Sequence, residues 1–295
     1  MFLSFNHDPR GQNRQNVFIC ILQTSASNAC SNRPCSNQCC EENPCAHGGT
    51  CTELCDHTKY KFNCTWTAAF HGKFCQRRRA MSCKEKLLRG RNSQSGVYHL
   101  LDPETNSMYE TYCDFTSENG FVWTLVESFS LANNQAFKPQ AFFKDHPVNQ
   151  KSFSWKIFRL STFKMTAIAD HSTHVRATCN FDTDGLNYTD YLRAKLSEIN
   201  VTDNAMIDKC KRYEYIDIRG YGCSNCAAPF YQSSQWHPHV DSYYGSQLGC
   251  GISFPGAILG GGGGEDNFGV YQTFNTRHRC SSNGNSTTQW WFGEQ

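Results

Sequence analysis

The chain has little net charge and no long apolar run. Its 28 lysines and arginines stand against 26 aspartates and glutamates, a formal charge of +2. No global field therefore draws it to nucleic acid or to an anionic membrane, and function has to sit in local features. No stretch approaches the roughly 20 apolar residues that cross a bilayer as a helix, so a secreted or matrix-bound product without a transmembrane segment is expected. Catalytic signatures are missing too. There is no Gly-x-Ser-x-Gly elbow, no His-Glu-x-x-His and no motif that sets a nucleophile beside a base, so an enzyme is not expected. Charged residues make up only 18% and aromatics 14%, a balance that argues against long disordered stretches.

Cysteine is abundant, with 18 in 295 residues. In a reducing compartment so many thiols would need metals or redox chemistry, whereas in the secretory pathway they pair and constrain the unfolded chain. The number is even, so complete pairing is possible. A short apolar run, 17–22, follows Arg10 and Arg14 and precedes small residues around 25–29. This resembles an abbreviated signal peptide, with cleavage expected near Ala29. Four acceptor sequons, at Asn63, Asn187, Asn200 and Asn285, fit a glycoprotein that passes through that pathway.

Composition divides the remainder into a Ser/Asn/Cys-rich segment, 30–39, a compact cysteine module, 40–76, a basic linker, 77–82, around Arg77, Arg78 and Arg79, and a long aromatic-rich region, 83–295. In that last region strand-like runs recur at 97–101, 121–126 and 155–160, separated by Gly, Asn and Asp turns. One helix is expected from Asp190, because Leu192, Leu196 and Ile199 fall at helical spacing and Thr189 can cap the first turn. The mixture predicts an α+β domain.

The module reads Cys40-Glu-Glu-Asn-Pro-Cys45, His47-Gly48-Gly49-Thr50-Cys51, Phe62-Asn63-Cys64 and Phe70-His71-Gly72-Lys73-Phe74-Cys75. It resembles an EGF-like domain, a small disulfide-rich β module. About forty residues cannot bury enough apolar surface, so two small hairpins are stapled instead. The resemblance implies Cys40 with Cys51 and Cys45 with Cys64. It departs where a fifth family cysteine would lie, since Trp66 stands there and Cys55 appears nearby. Cys55 is therefore expected to pair with Cys75. The residues before Cys40, Ser36-Asn37-Gln38-Cys39, lack the acidic pattern of calcium-binding members, so no calcium is expected in this module.

From Cys83, the segments Ser95-Gly96-Val97-Tyr98, Tyr112-Cys113-Asp114-Phe115 and Trp123-Thr124-Leu125-Val126 resemble the opening of a fibrinogen C-terminal domain. The resemblance covers about 45 residues and implies a Cys83–Cys113 bridge within a first sheet. After Phe129 it fades. The tail Trp290-Trp291-Phe292 reads as aromatics packing a final strand.

Several constellations compete with plainer readings. Asp182, Asp184 and Gly185 give an acidic turn like the start of a calcium loop, but no Glu follows at EF-hand spacing. Cys223 and Cys226, with His237, His239 and Asp241 beyond, could suggest zinc. Disulfides among Cys179, Cys210, Cys223, Cys226, Cys250 and Cys280 account for the same residues without metal. His171 and His174 read as ordinary surface histidines. The glycine run 260–264, followed by Glu265, Asp266 and Asn267, lacks a phosphate-loop ending. It suits a close backbone approach beside oxygen ligands, and it resembles the glycine-rich stretch of intelectin-like lectins.

One irregular EGF-like module ahead of a divergent fibrinogen-like domain also resembles, in architecture, coral proteins of the skeletal organic matrix. The expected function is that of an extracellular matrix or adhesion protein, with scaffolding in a biomineral matrix as one form of it. The alternative is a calcium-dependent lectin of fibrinogen-related or intelectin-like type, with matrix components or glycans as partners and calcium at Asp182, Asp184, Glu265 and Asp266.

Overall fold

The computed structural model describes residues 37–54, 60–65, 68–90, 94–102, 104–203, 206–243, 249–260 and 263–295. The expected leader, Cys20, Cys30, Cys35, Cys55 and Trp66 lie outside the described residues. The chain separates into two compact units, Met1–Arg78 and Arg79–Gln295.

In the first unit, β1 (Thr50–Glu53) and β2 (Phe62–Thr65) form an antiparallel hairpin that sets Cys51 opposite Cys64. Disulfides tie Cys40 to Cys51 and Cys45 to Cys64. A second, shorter pair joins β3 (Phe70–His71) to β4 (Arg77–Arg78), so two arginines of the basic run belong to a strand and not to a loose connector. The core here is Cys45, Phe62, Cys64 and Cys75. With so little apolar surface to bury, the covalent cross-links carry the constraint. Cys75 is a free, fully buried cysteine whose sulfur lies within 4.8 Å of those of Cys45 and Cys64. It packs against an existing bridge and does not form the bridge to Cys55 that the sequence suggested. Burial pushes its thiol pKa up.

The second unit opens with α1 (Cys83–Arg89). Ser82 caps it, its hydroxyl accepting from the Glu85 amide at 3.1 Å while the Glu85 carboxylate accepts from Met81 N at 2.7 Å. That reciprocal pair satisfies one orphan donor of the first turn, the Glu85 amide, and the Met81 amide just ahead of the cap. Next come β5 (Gly96–Asp102), β6 (Ser107–Asp114), β7 (Val122–Ser130), α2 (Asn134–Phe137), β8 (Ile157–Arg159), α3 (Thr162–Ala169) and β9 (His174–Cys179). They are followed by α4 (Phe181–Asp184), β10 (Tyr191–Lys195), β11 (Met206–Ile218), β12 (Tyr221–Ser233) and β13 (Trp236–Asp241), then by β14 (Leu259–Gly260), β15 (Gly263–Gly264), β16 (Asp266–Asn267) and β17 (Thr287–Glu294).

An antiparallel 11-stranded sheet runs in the order β16-β13-β12-β11-β10-β9-β17-β7-β6-β5, with β8 added beside β7. The helices are short, so the unit is predominantly β and not an even α+β mixture. β17 lies at the centre because its sequence, Thr-Thr-Gln-Trp-Trp-Phe-Gly-Glu, is β-branched and aromatic and is buried at every position. Disulfides link Cys83 to Cys113, Cys179 to Cys280, Cys210 to Cys250 and Cys223 to Cys226.

The helix expected from Asp190 is not there. Tyr191–Lys195 is a strand paired on both sides, with β9 and β11. The spacing from Leu192 to Leu196 is four, which is also a multiple of the strand period of two. Thr189 caps no helix; its amide instead donates to Asn187 Oδ1 at 2.8 Å.

Candidate functional site

Register across the sheet brings together residues that are far apart in sequence. Trp291 on β17 faces Arg176 on β9, Arg176 faces Arg193 on β10, Arg193 faces Tyr215 on β11, and Tyr215 faces Ser224 on β12. Directly opposed residues share a face of the sheet, so this row runs from the buried centre to the surface. Two arginines set opposite one another would repel, and Glu118 resolves the conflict by reaching both. It accepts from Arg176 Nη1 at 3.3 Å and pairs with Arg193 Nη1.

Arg176 is fully buried. Its guanidinium lies 4.4 Å from the Trp123 ring centroid and 4.6 Å from that of Trp291, and Nη2 donates to Asp114 Oδ2 at 2.7 Å. Trp123 can reach it because its strand partner is Gly293. A Cβ on Gly293 would sit 2.5 Å from the Trp123 ring. Burial raises the Asp114 pKa, but Arg176 and the Ser117 hydroxyl more than offset this and hold it below the usual carboxylate range.

At the outer end the row opens into a cleft lined by Phe121, Tyr188, Arg193, Glu214, Tyr215, Ser224 and Asn225. Arg193 Nε donates to Glu214 Oε2 at 2.9 Å, and His174 Nε2 lies 3.1 Å from Glu214 Oε1. Arg193 and Glu214 remain 24% and 28% exposed, so both still meet solvent. Burial raises the Glu214 pKa, and the His174 hydrogen bond and the Arg193 charge bring it below the ordinary value, leaving an ionised, acceptor-only carboxylate at neutral pH. Tyr188 is 47% exposed and packs edge-on against Tyr191 and Tyr215, with ring centroids at 5.1 and 6.0 Å. Tyr191 is buried beneath it and donates to Glu118 at 3.1 Å. The cleft thus offers aromatic faces beside a charged, hydrogen-bonding floor.

His174 is not the surface histidine that the sequence suggested, for it is buried against Glu214. The zinc set is also dispersed. Cys223 and Cys226 are bonded to each other, and His237 is fully buried against Glu127, which Arg159 also pairs at 2.7 Å. His239 Nε2 lies 3.4 Å from Asp266.

The carboxylates expected to hold calcium are engaged by protein donors. Glu265 is fully buried and accepts from Arg219 Nε at 2.9 Å and from Asn267 Nδ2 and Asn275 Nδ2 at 3.1 Å. Asp266 accepts from the Gln272 and Thr273 amides at 3.1 and 3.0 Å. Asp182 accepts from Thr287 Oγ1 and Gln289 Nε2, and Asp184 pairs with Arg279. A hard cation would have to displace these partners, and at Glu265 it would face a guanidinium. The glycine run has a packing reason instead. A Cβ on Gly260 would fall 2.0 Å from Thr273 Oγ1 and one on Gly264 2.2 Å from Asp241 Oδ1, so at these two positions the paired strands β14 and β15 can lie against those side chains only as glycine. All four sequon asparagines, Asn63, Asn187, Asn200 and Asn285, are exposed.

The residues that line the cleft, apart from Phe121 as part of a strand run, were not singled out by any motif in linear sequence. The hint was period two, with Tyr191 and Arg193 on one strand and Tyr213 and Tyr215 on the next, an unusual charge and aromatic content for interior strands. No family model matches this chain, and no curated protein and no solved structure matches it.

Proposed function

We propose that the chain is a secreted adhesion or matrix protein that binds glycans, without calcium, through the cleft of Tyr188, Phe121, Tyr215, Arg193 and Glu214. The observation that carries this reading is a 47%-exposed Tyr188 ring that lines one cleft with a solvent-reached Arg193–Glu214 pair. A sugar ring presents an apolar C–H face and an edge of hydroxyls, and such a floor serves both, through ring contact and through charge-assisted hydrogen bonds. Ionised Glu214 accepts hydroxyl protons and Arg193 donates in return. The disulfides and the exposed sequons support an oxidising, extracellular setting, and among the described residues no helix is long and apolar enough to cross a membrane. Scaffolding within a matrix, including a mineralised one, is compatible with such a module, whose role is binding and not catalysis.

The test is a glycan and matrix-component array probed with the full secreted chain, in calcium and in EDTA, beside Tyr188→Ala. Binding should persist in EDTA and weaken about tenfold or more in the variant, the loss of one aromatic contact. Absence of binding by the intact chain, or binding that EDTA abolishes and Tyr188→Ala leaves alone, would overturn the reading.

A further inference from the structure

The Cys223–Cys226 bridge lies within a single strand, β12. Side chains of a strand alternate between its faces, so residues three apart point to opposite sides and do not meet along a regular strand. Asn225, between them, takes φ 51°, the left-handed conformation that residues other than glycine rarely adopt. The register with β11 shows the same break. Partners run without a shift from Lys209 and Phe230 to Ile218 and Tyr221, and only Glu214 and Asn225, which would stand opposite one another, carry no ladder pairing. The bridge is thus held against one left-handed residue and one lost pair.

Strand pairing already keeps the two cysteines in place, since Tyr213 stands opposite Cys226 and Ile216 opposite Cys223. A disulfide constrains the unfolded chain more as the loop it closes lengthens. This one joins residues 3 apart, against 11 to 101 for the other described bridges. Both cysteines are half-buried, whereas the Cys83–Cys113 and Cys179–Cys280 bridges are buried. A bridge that solvent reaches, that adds little constraint and that its own backbone opposes is of the kind that exchanges with external thiols.

We infer that Cys223–Cys226 is a thiol-exchange site, opened by a dithiol reductant and closed again by the oxidised form of that reductant. One thiolate of the reductant attacks a sulfur of the bridge, forms a mixed disulfide and releases the other cysteine as thiolate. The second thiol of the reductant then displaces the remaining cysteine. Two electrons pass to the protein, which ends with two thiols, and the reductant ends as a disulfide. Opening lets Asn225 return to extended backbone opposite Glu214. Glu214, Ser224 and Asn225 all line the cleft, so the state of the pair sets the shape of that wall. The exchange does not depend on the glycan reading of the cleft.

The probe is dithiothreitol, given to the full secreted chain in graded ratios of its reduced and oxidised forms. Samples are quenched with acid, labelled with N-ethylmaleimide and mapped by peptide mass spectrometry. Cys223 and Cys226 should be labelled together at a ratio about tenfold lower than any other described bridge requires, while the far-ultraviolet spectrum is unchanged. Hydrogen exchange should change on opening in 222–227 and in the facing segment 212–217. Asn225→Val, whose branched side chain disfavours a positive φ, should lower the half-opening ratio about tenfold further, and Asn225→Gly, free of that penalty, should raise it. Free thiols at both positions in the untreated chain, opening only together with the other bridges or with loss of the spectrum, or the same half-opening ratio in both Asn225 variants would each overturn the proposal.

Discussion

Replacing Arg176 by Met tests whether the buried charge network organises the second unit. The guanidinium is fully buried, donates to Asp114 at 2.7 Å and to Glu118 at 3.3 Å, and lies between Trp123 and Trp291. Methionine fills much of the same slot and keeps a polarisable contact with both rings, so the loss is mainly electrostatic. Removing one partner of a buried pair costs about 3–5 kcal/mol, because the other charge stays buried without compensation. Here the carboxylates keep other donors. Asp114 retains the Ser117 amide at 3.1 Å and the Thr116 amide at 3.2 Å, and Glu118 retains Tyr191 OH at 3.1 Å. The expected cost is therefore at the lower end, about 3 kcal/mol. For a unit of this size that corresponds to a fall in melting temperature of about 6–12 °C. The sign of the pH dependence follows from Asp114, whose folded pKa is depressed. Such a group contributes stability above its unfolded pKa of about 4 and loses that contribution as pH falls through the folded value. The gap between wild type and variant should accordingly be widest at neutral pH and should narrow towards about pH 3. Urea unfolding of the disulfide-intact full chain, followed by tryptophan fluorescence, reads this directly because Trp123 and Trp291 flank the site. A cost under about 1 kcal/mol, or the same cost at both pH values, would refute the reasoning.

Gly293→Ala places a methyl 2.5 Å from the Trp123 ring. It should destabilise by about 1–3 kcal/mol through overpacking, and Trp123→Leu in the same chain should recover part of that loss in a double-mutant cycle; additive effects would mean that the two residues do not compete for the space. The Cys75 thiol, fully buried and with its pKa pushed up, should resist iodoacetamide in the native protein and react after unfolding in guanidinium without reductant. Mass spectrometry that found native labelling at Cys75 would contradict its burial.

Local pattern carried the strands well. The run at 97–101 lies in β5, that at 121–126 enters β7 at Val122, that at 155–160 holds only the three residues of β8, and the aromatic tail belongs to β17. Where only spacing was available it misled at Asp190, since a four-residue interval satisfies strand and helix alike and only pairing with β9 and β11 decides between them. The surroundings of the acidic clusters were not legible for a related reason. Asp182, Asp184, Glu265 and Asp266 look like free oxygen ligands in sequence, yet their partners Thr287, Arg279, Arg219 and Thr273 come from other segments. The candidate cleft was invisible because its members, from Phe121 to Asn225, meet only through cross-strand register.

The sequence by itself determined a cysteine-rich composition that supplies the disulfides, the strand character of the aromatic segments and the four Asn-x-Ser/Thr triplets. These are properties of residue type and short spacing, and they do not depend on what lies opposite. The tertiary structure alone decided which carboxylates are spent inside the protein, which thiol stays free, and which side chains stand together at a surface. Those outcomes depend on register, and in an 11-stranded sheet a one-residue shift of β10 or of β11 would turn Arg193 or Tyr215 to the other face.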